Sequence, residues 1–196
     1  MSYKSKSILN SIFRLRNLFL TPKQEWERIT PEEYKTSELF LKFAFPIIAI
    51  SSLISGIGIF IHSKNLLTAI SYFFVDFLSL NLGLYCAAKI IILLTPNFQL
   101  KIKPDVIFKL VIFSASVLCI FHGSANLFTA KSFLNQLCLI FELYFIRILW
   151  LGTAPLLPIA ENKRPGFTIM ASLLILVLPL IFERMFSILF KLPVTI

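Results

Sequence analysis

Apolar residues run in five long blocks along this chain, at about residues 43–62, 69–94, 106–128, 133–158 and 167–184, with polar residues collected between them. A helix that crosses ~30 Å of hydrocarbon needs about 20 apolar residues, each rising ~1.5 Å. The blocks do not alternate as a lipid-facing strand would; Ile90 to Leu94 is apolar throughout. Inside lipid every backbone N–H and C=O must be paired within its own segment, so helices are the expected form. The pattern predicts an all-α, polytopic membrane protein. Residues 43–196 make a bundle of five transmembrane helices, and residues 1–42 make an amphipathic segment before it.

Small residues recur inside the spans. Ser51 and Ser55, and Ser52 and Gly56, are each one turn apart, and Gly83 with Ala87 and Cys119 with Gly123 repeat the spacing. Such faces let helices approach closely and permit a homo-oligomer. The gaps His62–Leu66 and Thr129–Ser132 are short, so spans one and two, and spans three and four, are expected as antiparallel hairpins. Pro179 falls in the middle of the fifth span and is expected to kink it.

Within residues 1–42, Ser7–Leu20 has helical periodicity. Ile8, Ile12, Leu15 and Phe19 fall on one side, with Ser7, Asn10, Ser11, Arg14 and Asn17 opposite. With Arg14 and Arg16, this reads as a basic amphipathic helix lying in the head-group region or packing on the bundle. Thr21-Pro22-Lys23-Gln24 and Thr30-Pro31-Glu32-Glu33 both read as helix starts, with Thr as cap and Pro at the first position. Trp26 and Ile29 share a face of the short helix between them. Trp26 reads either as an interfacial tether or as a Trp buried against the bundle.

Composition agrees with the pattern. The chain is 57% hydrophobic and 15% charged, with a mean hydropathy of +0.83, more apolar surface than a soluble domain could cover. The net charge of +9 does not point to nucleic acid, because the basic residues are spread over the gaps rather than set in a stripe with stacking aromatics. They suit anionic head groups, so the lipid bilayer is the first expected partner. Thirteen Lys and Arg fall in the N-terminal segment and the second and fourth gaps, against four in the other gaps and tail. The positive-inside rule then puts the N-terminus in the cytoplasm and the C-terminus outside.

The intramembrane polar residues are Asp76, Asn81 and Lys89 in span two, His122 and Asn126 in span three, and Glu142 and Arg147 in span four. A charge at the bilayer centre costs roughly 3 kcal/mol, so it turns inward and finds a partner. Asp76 and Lys89 are about 20 Å apart along their helix and cannot pair. Pairing between helices is therefore expected, with His122 meeting Asp76 or Glu142. Two readings stay open: a proton or ion relay, or interhelical hydrogen bonds that fix helix order. Lys89 has the further option of snorkelling to the interface.

Cys86, Cys119 and Cys138 are far apart and read as buried apolar thiols. His62 and His122 lack metal-ligand spacing, and no nucleophile–base pair or phosphate-binding glycine loop is present. Neither an enzyme, nor a cofactor, nor a metal is expected.

The residues Thr21, Pro22, Lys23, Trp26 and Ile29, followed by a span that opens near Pro46, resemble the bacterial branch of the YIP family (Ypt/Rab-interacting protein domain). The resemblance implies five spans, a cytoplasmic N-terminus and residence in a bacterial inner membrane. Eukaryotic members are tied to vesicle traffic and small GTPases, but their acidic-aromatic Asp-Leu-Tyr-Gly-Pro motif is not in this sequence. Two functions are expected from these readings. One is a non-catalytic organiser or adaptor that binds the membrane surface, or another membrane or cytoplasmic protein, through Arg14, Arg16, Pro22, Trp26 and Ile29. The other is a small transporter or ion- or proton-conducting protein that uses Asp76, His122, Glu142 and Arg147.

Overall fold

The computed structural model describes residues 2–192, with side chains from Ser11 to Leu192. The side chains of Ser7, Ile8 and Asn10 lie outside that description. Helix α1 (Ser2–Leu20) and helix α2 (Pro22–Ile29) come first, and α3 (Thr36–Leu39) runs through a π-helical turn (Phe40–Ala44) into α4 (Phe45–Ser63). Then follow α5 (Leu66–Leu94) with a 3₁₀ turn (Thr95–Phe98), α6 (Pro104–Ala125), α7 (Phe133–Glu142), α8 (Tyr144–Leu156) and α9 (Arg164–Leu189). Five helical stretches are long and apolar enough to cross a membrane: Thr36–Ser63, Leu66–Phe98, Pro104–Ala125, Phe133–Leu156 and Arg164–Leu189. The chain is an all-α, multi-pass membrane protein.

Local chemistry sets the ends of the spans. Lys64 adopts φ 54° and closes α4, and the Asn65 side chain accepts from Thr68 N at 3.2 Å to start α5. Gln99, at φ 60°, ends the 3₁₀ turn. Pro104 opens α6 at a position where the missing N–H is no loss. Ser132 caps α7 by accepting from Asn135 N at 3.1 Å. The first span starts at Thr36 rather than near residue 43, because the π turn joins α3 to α4 without a break. Pro179 lies within the continuous α9.

Helix α6 stands at the centre. Every residue from Ile107 to Cys119 is buried. Helices α4 and α5 pack on it from one side, α7 and α8 from another, and α9 lies against α5 and α8. Small residues make the closest crossings. A Cβ on Gly123 would run into the Ser51 backbone, and one on Gly58 would meet Asn126. On Gly83 it would sit 2.5 Å from Pro179 Cα. The serine face of α4 is buried, with Ser51 Oγ donating to Cys119 O and Asn126 Nδ2 donating to Ser55 Oγ at 2.8 Å. The small-residue face of α4 is thus closed within one chain.

Because the obstruction at Gly123 is backbone, no rotamer change relieves it. Gly123→Ala should lower stability by about 1–3 kcal/mol, the usual range for overpacking. Thermal unfolding in mild detergent checks this, against Gly166→Ala, whose Cβ meets its nearest atom at 3.7 Å and should have a far smaller effect.

Candidate functional site: an intramembrane cluster of three carboxylates and one imidazole

Four helices bring ionisable groups to one place. His122 on α6 holds Asp76 Oδ1 of α5 at 3.3 Å from its Nε2, and Glu142 Oε1 of α7 at 3.4 Å from its Nδ1. Glu183 Oε2 of α9 lies 3.9 Å from Nε2. Asp76 and Glu142 are buried; the Glu183 side chain keeps 27% exposure. Asp76 Oδ2 is buried without a hydrogen-bond partner. The groups line a small cavity of about 10 Å³, closed below by Leu80, Leu118 and Leu176. That is space for about one water.

The meeting follows from helix geometry. His122 lies one turn before the end of α6. Glu142 ends α7, where Leu143 interrupts the fourth span and its N–H reaches back to Ile140 O at 3.1 Å. This tightening separates α7 from α8 beside the acid. The span has neither Pro nor Gly at that point, so the sequence carries no ordinary mark of it. Glu183 was legible only as an acid near the end of a span.

The other polar residues singled out from the sequence do not join the cluster. Asn81 Nδ2 donates to Phe77 O of its own helix at 2.8 Å. Asn126 bonds Ser55, as above. Lys89 is exposed, with its Nζ 5.6 Å from the Tyr85 ring centroid. Arg147 is exposed too, and its guanidinium sits 5.5 Å from the Tyr144 ring. Cys86, Cys119 and Cys138 are free thiols.

A second polar network docks the N-terminal segment on the bundle. Trp26 is 1% exposed, and its Nε1 donates to Ile148 O at 2.9 Å. Gly152 leaves the slot; a Cβ there would be 2.5 Å from the ring. Trp26 is therefore no interfacial tether, because its ring fills this slot instead of meeting the bilayer surface. Ile29 and Pro22 are buried beside it, so these two present no outward face either. Arg14 pairs with Glu32 at 2.5 Å and Glu25 at 3.7 Å, and Arg16 remains exposed.

The first of the two expected helix starts forms: α2 opens at Pro22 with Thr21 in the cap position, although the Thr21 hydroxyl turns back to Asn17 O at 3.3 Å and makes no capping bond. The second does not form. Thr30 ends α2 and bonds Trp26 O at 2.7 Å, and the next helix starts at Thr36. The reason is Lys109. Its Nζ donates to Ile29 O at 3.2 Å, Thr30 O at 3.1 Å and Glu32 O at 2.6 Å. A buried ammonium needs such acceptors, and an uncoiled backbone supplies them.

These features define a multi-pass helical membrane protein with an ionisable centre inside its bundle. The chain matches no protein-family model, no curated protein and no solved structure.

Burial alone would raise the Glu32 carboxyl, but hydrogen bonds from Tyr34 and Arg14 outweigh it and hold the group below the ordinary carboxylate range. Burial and the bond to Glu32 push the Tyr34 hydroxyl up. A carboxyl lowered on folding stabilises the docked segment above its unfolded pKa of about 4.3 and loses that contribution as pH falls through its folded value. Hydrogen exchange in residues 22–32 should therefore be protected at about pH 6 and show greater opening, corrected for intrinsic exchange, at about pH 3. Glu32→Gln should flatten that difference.

Proposed function

We propose that this protein is a small proton-handling membrane protein of transporter type, which binds and releases protons at the Asp76–His122–Glu142–Glu183 centre. The observation behind this reading is the charge imbalance. Three carboxylates face one imidazole. Even an imidazolium leaves two negative charges when all three acids are ionised. Each uncompensated charge in the hydrocarbon region costs roughly 3 kcal/mol. Among the described residues no Lys or Arg forms an ion pair with these acids. Bound protons are the smallest means of restoring neutrality, and the cavity is too small for a larger solute. The Lys and Arg distribution supports a cytoplasmic N-terminus, and residence in a bacterial inner membrane rests on the YIP-like resemblance.

A second reading, an organiser on the lipid surface of the YIP-like kind, has one specific support. Helix α1 exposes Ile12, Phe13 and Leu20, and Arg16 is exposed with them. That face suits the head-group boundary.

Liposomes with a trapped pH indicator separate the two. Under an imposed pH gradient, wild-type vesicles should pass protons at least tenfold faster than empty ones. Asp76→Asn and Glu142→Gln should each remove most of that excess at equal protein content. Wild-type flux equal to that of empty vesicles would leave only the organiser reading.

A further inference from the structure

We infer that, in the conformation the structure shows, the intramembrane centre is open to protons from one face of the membrane, the face where α9 ends, that Glu183 is the group through which they pass, and that passage to the other face is a slower step needing a second conformation. This rests on the proton-handling reading above.

Depth is the first support. His122 and Glu183 lie roughly 5 Å and 9 Å from the ends of α6 and α9 at that face, at ~1.5 Å per residue. Glu183 is the most exposed of the cluster's carboxylates. An exposed carboxylate facing hydrocarbon would be costly, so its open side belongs to water. Arg184, its exposed neighbour, reaches the same surface by snorkelling.

The opposite direction is closed. Towards the other face, α6 continues as Leu110–Leu118, buried throughout and walled by Leu84, Ile148 and Ile175. Ser116 spends its hydroxyl on Phe113 O of its own helix, at 2.7 Å. The first titratable groups that way are Tyr85 and Cys86 on α5, about 14 Å and 15 Å along the helix from Asp76; Tyr85 is exposed and its ring packs on Phe108. Lys89 on α5 and Lys109 on α6 follow at about 20 Å, and Arg164 on α9 at about 28 Å. Arg147 on α8 is nearer, but it is exposed and lies over Tyr144. The remaining titratable groups close to the cluster are Tyr72 on α5, Cys119 on α6, Cys138 on α7, Arg184 on α9 and Tyr144 at the start of α8, whose hydroxyl is spent on Phe19 O of α1 at 3.1 Å. None of them leads to the far face.

The step is a simple relay. The Glu183 carboxylate takes a proton from water at its face. It hands that proton to Nε2 of neutral His122, 3.9 Å away, by way of the single water the cavity can hold. His122, an imidazolium in passing, gives its Nδ1 proton to Glu142 Oε1, 3.4 Å away, so that Glu142 ends as the carboxylic acid, His122 as the neutral ring and Glu183 as its carboxylate. Release runs the same steps backwards.

Infrared difference spectroscopy tests this on the full chain in vesicles sorted by a C-terminal affinity tag into one orientation. The pH is stepped on one side at a time, and the carboxylic-acid band is followed. The band should respond to steps on the C-terminal side and stay at least tenfold slower for steps on the other. Glu183→Gln should slow the response at least tenfold while leaving its final amplitude in place. Glu183→Asp should restore most of the rate. Equal response from both sides, response from the N-terminal side, or a Glu183→Gln rate equal to wild type overturns one-sided access and leaves the proton-handling reading standing. No band change from either side overturns both. A second arm needs no titration. With the native cysteines replaced by Ala, Glu183→Cys should react with a membrane-impermeant maleimide from the C-terminal side only, and Leu84→Cys from neither. Labelling of Glu183→Cys from the other side also overturns the inference.

Discussion

The burial of α6 on all sides is the constraint that organises this molecule. A helix shut off from both lipid and water must satisfy every polar group it carries through its neighbours. Several of its neighbours are tied to it by polar contacts, α4 and α7 by two each. Ser51 reaches Cys119 O, Asn126 reaches Ser55, and Asn135 Nδ2 donates to Ala125 O at 2.9 Å. His122 gathers α5, α7 and α9, and Lys109 gathers the backbone after α2. Lipid offers no hydrophobic drive for helix association, so packing and these contacts decide which helix lies where.

The two ends of α6 use opposite solutions to the same problem. Lys109 is a single cation given backbone carbonyls, which are neutral and fixed. That arrangement holds the N-terminal segment in place through Ile29, Thr30 and Glu32. At the other end an imidazole meets carboxylates that outnumber it, and the buried oxygens Asp76 Oδ2 and Glu142 Oε1 have no hydrogen-bond partner among the described residues. The first end is satisfied as it stands. The second depends on what else is bound, which is the property a proton-handling centre needs.

Much of this was legible in the sequence. Run length located the spans, because a bilayer imposes one thickness on all of them. The cost of intramembrane charge predicts Asp76 or Glu142 as the partner of His122, and the fold supplies both. Three things were not legible. Trp26 has the chemistry of an interfacial residue, and only the slot at Gly152, more than a hundred positions away, draws it inside. Thr30-Pro31-Glu32-Glu33 has the local code of a helix start, and Lys109 overrides it by taking the carbonyls of Ile29, Thr30 and Glu32. Glu183 sits near a helix end beside Arg184, a pattern that reads as an ordinary surface ion pair until α9 is packed on α5 through Gly83 and Pro179.

The central claim is that the folded bundle holds protons at this centre which the unfolded chain does not. Stability against pH measures that number directly, through reversible unfolding in mixed detergent. If the native state binds more protons, stability falls as pH rises near neutrality, by about 1.4 kcal/mol per pH unit for each extra proton. The slope should vanish when Asp76→Asn, Glu142→Gln and Glu183→Gln are combined. A wild-type curve that is flat or rising between about pH 6 and pH 8 would contradict the account.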